Sequence, residues 1–157
     1  QEVFFLSTYE ELLIEADDHN LITKEKPLRA GKGRIKGNRI AIQKGLTEAE
    51  KKCVLAEELG HYHTAFGNIL DQTSVSNRKQ ELRGRVMAYD RLVGLLGIIQ
   101  AYQRRCRTLS EMAEYLEVTE EFLNDALSCY RKKYGIFTQV DHYLIIFEPS
   151  LMVMELV

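Results

Sequence analysis

The chain is poor in cysteine. Three occur in 157 residues, Cys53, Cys106 and Cys129, and no two stand in a C-x-x-C spacing. An odd, scattered set gives no disulfide framework and reads as the reduced thiols of a cytosolic protein. Cys53 and Cys129 lie among apolar neighbours and are expected in the core. A long apolar run is also missing: the longest, LVGLLGIIQAY from Leu92, is too short to cross a bilayer. The opening stretch QEVFFLSTYEELL has neither a basic n-region nor a small-residue cleavage site, so no secretory leader is expected. Positive charge is not in surplus: 21 Lys and Arg face 23 Asp and Glu, for a net charge of -2. A chain that neutralises many phosphates is normally basic, so direct nucleic-acid binding is disfavoured. The basic cluster Arg104, Arg105 and Arg107 reads as a solvated helix end. Repeats and low-complexity segments are absent. No serine or cysteine has a histidine partner recognisable from sequence, which leaves nucleophilic catalysis without a candidate.

What is present describes a folded domain. Hydrophobic residues make up 45% and charged residues 28%, enough to bury a core and too little charge for disorder. The length fits one domain, or one domain with a small appendage.

The elements follow from local signals. Thr8 and Glu11 form a capping box for an amphipathic helix reaching about Asn20, with Leu12, Leu13 and Ala16 inward. RIKGNRIAIQ alternates around Gly37-Asn38 and predicts a β-hairpin packing through Ile35, Ile40 and Ile42. Thr47 and Glu50 make a second capping box, opening a helix from about Thr47 to Thr64. A polar loop, GNILDQTSVSN, leads to a long helix capped by Ser76 or Asn77 and reaching about Arg105, with close packing or a break marked by Gly84, Gly94 and Gly97. TLSEMAEYLEVTEEFLNDALSCYRKKYG reads as two helices with a tight turn at Val118-Thr119. HYLIIFEPSLMVMELV reads as two short strands around Pro149-Ser150. The expected fold is α+β, mostly helical, with a small sheet.

The stretch CVLAEELGHYH carries the chemistry. At about 100° per residue, Glu57 and His61 project from one face of the second helix, as i and i+4 ligands of one metal ion do. Glu58 stands beside them, where a carboxylate can take a proton from an activated water. Gly60 lets another element or a substrate approach. His63 lies two residues beyond His61, about 200° around the helix, so the two cannot reach one ion while the helix persists. A third ligand must come from elsewhere, and the next helix offers Glu81, with Gly84 and Ala88 on the same side to allow close approach. Tyr62 and Tyr89 are lesser candidates, able to support a developing oxyanion but commonly mere packing. His19 reads as a helix-terminal histidine and His142 as structural or exposed. Spacing alone does not separate E-E-x-x-H from a solvated, glutamate-rich helix face.

The wider context does. GRIKGNRIAIQKGLTEAEKKCVLAEELGHYHT, a hairpin leading into the active-site helix, resembles the ImmA/IrrE family of metallo-endopeptidases. So do the following helix with Glu81, Gly84 and Ala88 in an E-x-x-A-x-x-x-A pattern, and the segment LSEMAEYLEVTEEFLNDALSCYRKKYG. The resemblance covers roughly residues 8 to 135. It implies a mostly helical zincin-like domain over residues 1–107 and a C-terminal helical pair with short strands over 108–157, packed on the first as one unit. It implies that Glu58 is the catalytic base and that His61 and Glu81 bind Zn2+. Glu57 occupies the place of the family's first histidine ligand. A carboxylate there hardens the site, so that Mn2+ would be accepted as well as zinc. Family members act on repressors of phages and mobile elements. The implied partner is therefore a helix-turn-helix repressor, cleaved by metal-activated water in the cytoplasm of a bacterial host. The hairpin would offer an edge strand to an extended peptide.

Two other readings differ in class. A metal-free antirepressor or immunity protein would hold the repressor by contact alone. LSEMAEYLEVTEEFLNDAL also has the rhythm of a helix-turn-helix, with Ala113, Leu116, Val118 and Leu123 as its core. Its second helix is acidic, however, and phosphate would repel it.

Overall fold

Helix α1 (Tyr9–Asp18) starts where its cap allows: the Thr8 hydroxyl accepts the Glu11 N–H at 3.1 Å, and Glu10 and Glu11 complement the positive end of the helix dipole. Leu12 and Ala16 are buried, while Leu13, expected inward with them, is only half-buried. The structure is a computed structural model, and residues 6–65 and 74–157 are described.

Three strands follow α1: β1 (Ile22–Lys26), β2 (Gly33–Lys36) and β3 (Arg39–Gln43). The predicted hairpin is β2–β3, paired antiparallel with Ile35 opposite Ile40. Gly37 takes a φ of +60° in its turn, a left-handed conformation that glycine adopts without steric cost. Strand β1 was not expected. It pairs parallel to β3, giving the order β1-β3-β2, with β2 at an edge. Ile40 and Ile42 are buried, and the sheet packs through β1, β2 and β3 against α1 and α2.

Helix α2 (Glu48–Ala65) opens with the predicted capping box. The Glu50 N–H donates to the Thr47 hydroxyl at 3.1 Å, and the Thr47 N–H donates to the Glu50 carboxylate at 3.3 Å. Leu55, Ala56 and Leu59 face inward. The loop expected over 67–77 lies outside the described residues as far as 73. Helix α3 (Ser74–Leu92) is already helical at Ser74, before the expected cap. The long helix expected to reach Arg105 divides at Val93, and Gly94, with φ +61°, opens α4 (Gly94–Gln103).

Helices α5 (Leu109–Leu116) and α6 (Glu120–Tyr134) are joined by a turn in which Glu117 is left-handed, with φ 57°, and the Thr119 hydroxyl caps α6 by accepting the Phe122 N–H. Phe122, Leu123, Ala126, Leu127 and Tyr130 form the buried stripe of α6. The Tyr130 hydroxyl accepts the Gly94 N–H at 3.1 Å. The C-terminal sheet has three antiparallel strands, β4 (Phe137–Val140), β5 (Tyr143–Ile146) and β6 (Met152–Glu155), where two were expected. Cys53 is buried, but Cys129 is only partly so, against expectation.

The architecture is α+β, with six helices and two three-stranded sheets among the described residues. The chain forms two compact units, Ser7–Arg91 and a second containing Leu92–Val157. No helix of the described residues is long and apolar enough to cross a membrane.

The capping box of α2 carries a measurable load. Thr47→Ala is expected to cost about 1 kcal/mol in urea unfolding. The Glu50 carboxyl is held below the usual carboxylate range, chiefly by the Thr47 N–H and next by Lys32 at 3.1 Å. Its contribution is therefore complete above the ordinary carboxylate pKa and lost as pH falls through the lower folded value. The stability gap between wild type and Glu50→Gln should accordingly close on acidification.

Candidate active site

Helices α2 and α3 meet at two glycines. A methyl group on Gly60 would overlap the carbonyl oxygen of Gly84, and a methyl group on Gly84 would overlap Nδ1 of His61. A Cβ at Gly60 would push the two backbones apart, and one at Gly84 would displace the His61 ring. This approach brings Glu81, three residues before Gly84, to His61. Their Oε1 and Nε2 atoms are 3.5 Å apart. That is longer than an ordinary N–H···O hydrogen bond. It is close to the edge of about 3.4 Å between two donors on one tetrahedral ion with bonds of about 2.0–2.1 Å.

Glu58 completes this wall. It is 8% exposed and lies against strand β2, where a Cβ on Gly33 would come within 3.0 Å of its Oε1. An open cleft of about 440 Å³ runs between β2 and the two helices, lined by Gly33, Arg34, Ile35, Glu58, His61 and Glu81 together with Asn77 and Gln80. Burial pushes the Glu58 carboxyl up to about 7, and repulsion from Glu57 and then Glu81 adds to the rise. Burial also lowers the His61 pKa; Glu81 opposes that effect, and Arg85, 3.3 Å from Glu81, reinforces it. Three carboxylates therefore share a neighbourhood with one imidazole. A cation would relieve that repulsion, and the donor types suit a divalent ion.

The other sequence candidates fall elsewhere. Glu57 is half-buried and does not line the cleft, and the ligand atoms of Glu57, His61 and Glu81 are not gathered within 4.8 Å of one another. Tyr89 is buried outside the cleft lining. His63 points to the far side of α2, as its helical position requires, and its Nε2 lies 3.5 Å from Oε1 of Glu15 on α1. Tyr62 joins it there, with ring centroids 5.3 Å apart. His19 does cap the C-terminus of α1 as read from sequence, but its ring also meets His63 edge-on at 4.9 Å. Glu15, His19 and His63 form a cluster whose ligand atoms all lie within 4.8 Å of one another. Sequence reasoning missed it. The i, i+4 pairing of Glu15 with His19 was the available local signal, and the packing of α1 on α2 supplied the third member.

A helix with adjacent carboxylates and a histidine, a second helix delivering a glutamate to that histidine, and a strand edge along the same cleft together lay out a metallopeptidase-type domain. Residues 14–128 match the Peptidase_M78 family model, the IrrE N-terminal-like domain, and the chain belongs to this family. Comparison with curated proteins gives no match.

The glycine contact has a direct test. Gly60→Ala should destabilise the protein by about 1–3 kcal/mol, the cost of overpacking against a backbone that cannot rotate away. Urea titration should show the loss, with far-UV circular dichroism confirming retained helix.

Proposed function

We propose that this protein is a divalent-metal endopeptidase that inactivates a helix-turn-helix repressor of a phage or mobile element by hydrolysing one of its peptide bonds. The observation that carries the reading is the meeting of His61 and Glu81 across the Gly60–Gly84 contact, with Glu58 on the same cleft wall.

His61 and Glu81 would hold the ion. We assign the third protein donor to Glu57, one helical turn before His61; its carboxylate lies outside the cleft lining and would have to rotate toward His61 to join the ion. Zinc is the first choice, and the carboxylate-rich set also suits manganese. When bound, such an ion polarises the scissile carbonyl and acidifies a water. Glu58 accepts the proton of the attacking water and returns it to the departing amide nitrogen, so its protonation state is restored at the end of the cycle. Among the described residues strand β2 is paired only with β3, and its residues Gly33–Ile35 line the cleft, so an extended peptide can add there through main-chain hydrogen bonds.

The exposed first turn of α6, with Glu120, Glu121 and Asp125 nearby, argues against a recognition helix on DNA.

Glu58→Gln should lower repressor cleavage by roughly 10²–10⁴-fold, the usual contribution of general acid–base catalysis, with metal content unchanged. Chelation should abolish cleavage, and added Zn2+ or Mn2+ should restore it. If derepression in cells is as strong with Glu58→Gln as with wild type, the protein instead acts by contact as an antirepressor.

A further inference from the structure

The face of α2 opposite the cleft carries a second set of metal-ligand side chains. Glu15 and His19 stand four residues apart at the end of α1, and His63 reaches them from the last turn of α2. We propose that Glu15, His19 and His63 form a separate site for a divalent transition-metal ion, and that this ion has a structural role, tying α1 to the end of α2.

Geometry carries the assignment. The 3.5 Å separation of His63 Nε2 from Glu15 Oε1 is close to the edge of about 3.4 Å expected between donors on one tetrahedral zinc ion. All three ligand atoms lie within 4.8 Å of one another, so side-chain rotations of roughly 1 Å would close the shell. The second Glu15 oxygen is held by the Arg91 guanidinium, which leaves Oε1 for a ligand and fixes the carboxylate. Tyr62 flanks both rings, at 5.7 Å from His19 and 5.3 Å from His63. The Arg91 hydrogen bond is the kind of outer support that orients a ligating carboxylate, while Tyr62 packs against the rings.

The chemistry selects the ion. Two imidazoles and one carboxylate favour Zn2+, Co2+ or Ni2+ over Mg2+ or Ca2+, which seek oxygen shells. The Arg91 charge offsets that of Glu15, which disfavours hard cations further. One Glu15 oxygen is held by Arg91 and the cluster does not line the β2 cleft, so nothing here resembles a base beside a peptide. His61 and His63 share one turn of α2. An ion at the outer site would therefore steady the turn that presents His61 to Glu81.

The site can be counted independently of the cleft. Untagged His61→Ala, which lacks the cleft imidazole, is dialysed against Zn2+ alone and analysed for bound metal. Glu81→Gln provides an equivalent background should His61→Ala fold poorly. One zinc per chain should remain, raise the Tm, and weaken by more than roughly tenfold on adding His19→Ala or His63→Phe. The phenylalanine keeps a ring against Tyr62 and His19 while removing the donor, which separates ligand loss from packing loss. The proposal is overturned if His61→Ala and Glu81→Gln bind no zinc, or if binding survives His19→Ala combined with His63→Phe. Failure of the cleft reading would look different: wild type and His61→Ala would then bind the same single ion.

Discussion

Contact between the backbones of α2 and α3 at Gly60 and Gly84 is the constraint on which the cleft depends. Each glycine inside a helix costs about 1 kcal/mol relative to alanine. The return is an approach that no side chain would permit, since a Cβ at either position overlaps the other helix. Ordinary ridge-into-groove packing keeps helix axes about 8–10 Å apart. Removing the ridge at the crossing lets a short glutamate side chain on α3 reach an imidazole on α2. A third glycine acts in the same way on the other wall. Gly33 leaves room first for a Val54 methyl and then for the Glu58 carboxylate beside strand β2, so the strand edge and the carboxylate share one cleft.

The last turns of α2 distribute its side chains between two neighbours. His61 goes to α3 and His63 to α1, because two residues of helix rotate the side chain by about 200°. The two faces have different electrostatics. Around Glu58, burial and neighbouring carboxylates favour the protonated acid until a cation is present. Around His63, Arg91 already compensates Glu15, and the rings pack on one another. The same short stretch of sequence thus faces an acid-rich cleft on one side and an aromatic, imidazole-rich cluster on the other.

Local chemistry was legible wherever one segment contained its own instructions. The cap at Thr8, the capping box at Thr47, the Gly37-Asn38 turn, the turn at Val118-Thr119 and the glycine break at Gly94 all work through neighbours a few residues away. Strands β1 and β4 were missed. ITKEK is short and mostly exposed, and its parallel pairing to β3 is a non-local bond that period-2 patterning does not announce. FTQV likewise gains its identity from pairing with β5. Cys129 has apolar neighbours in sequence, but its place on α6 leaves it only partly covered.

The amino-acid sequence by itself determined where most helices lie, the caps at Thr8 and Thr47, the β2–β3 hairpin, and the divergence of His61 from His63, because each follows from backbone sterics and helical periodicity over a few residues. It also supplied the pairing of Glu81 with His61, through small residues spaced along one helix face. Only the tertiary structure decided that Glu58 rather than Glu57 lines the cleft, that β2 presents its edge there, and that Glu15 and His19 meet His63. Those outcomes depend on how separate helices and strands pack, and packing joins residues whose separation along the chain carries no periodic signal.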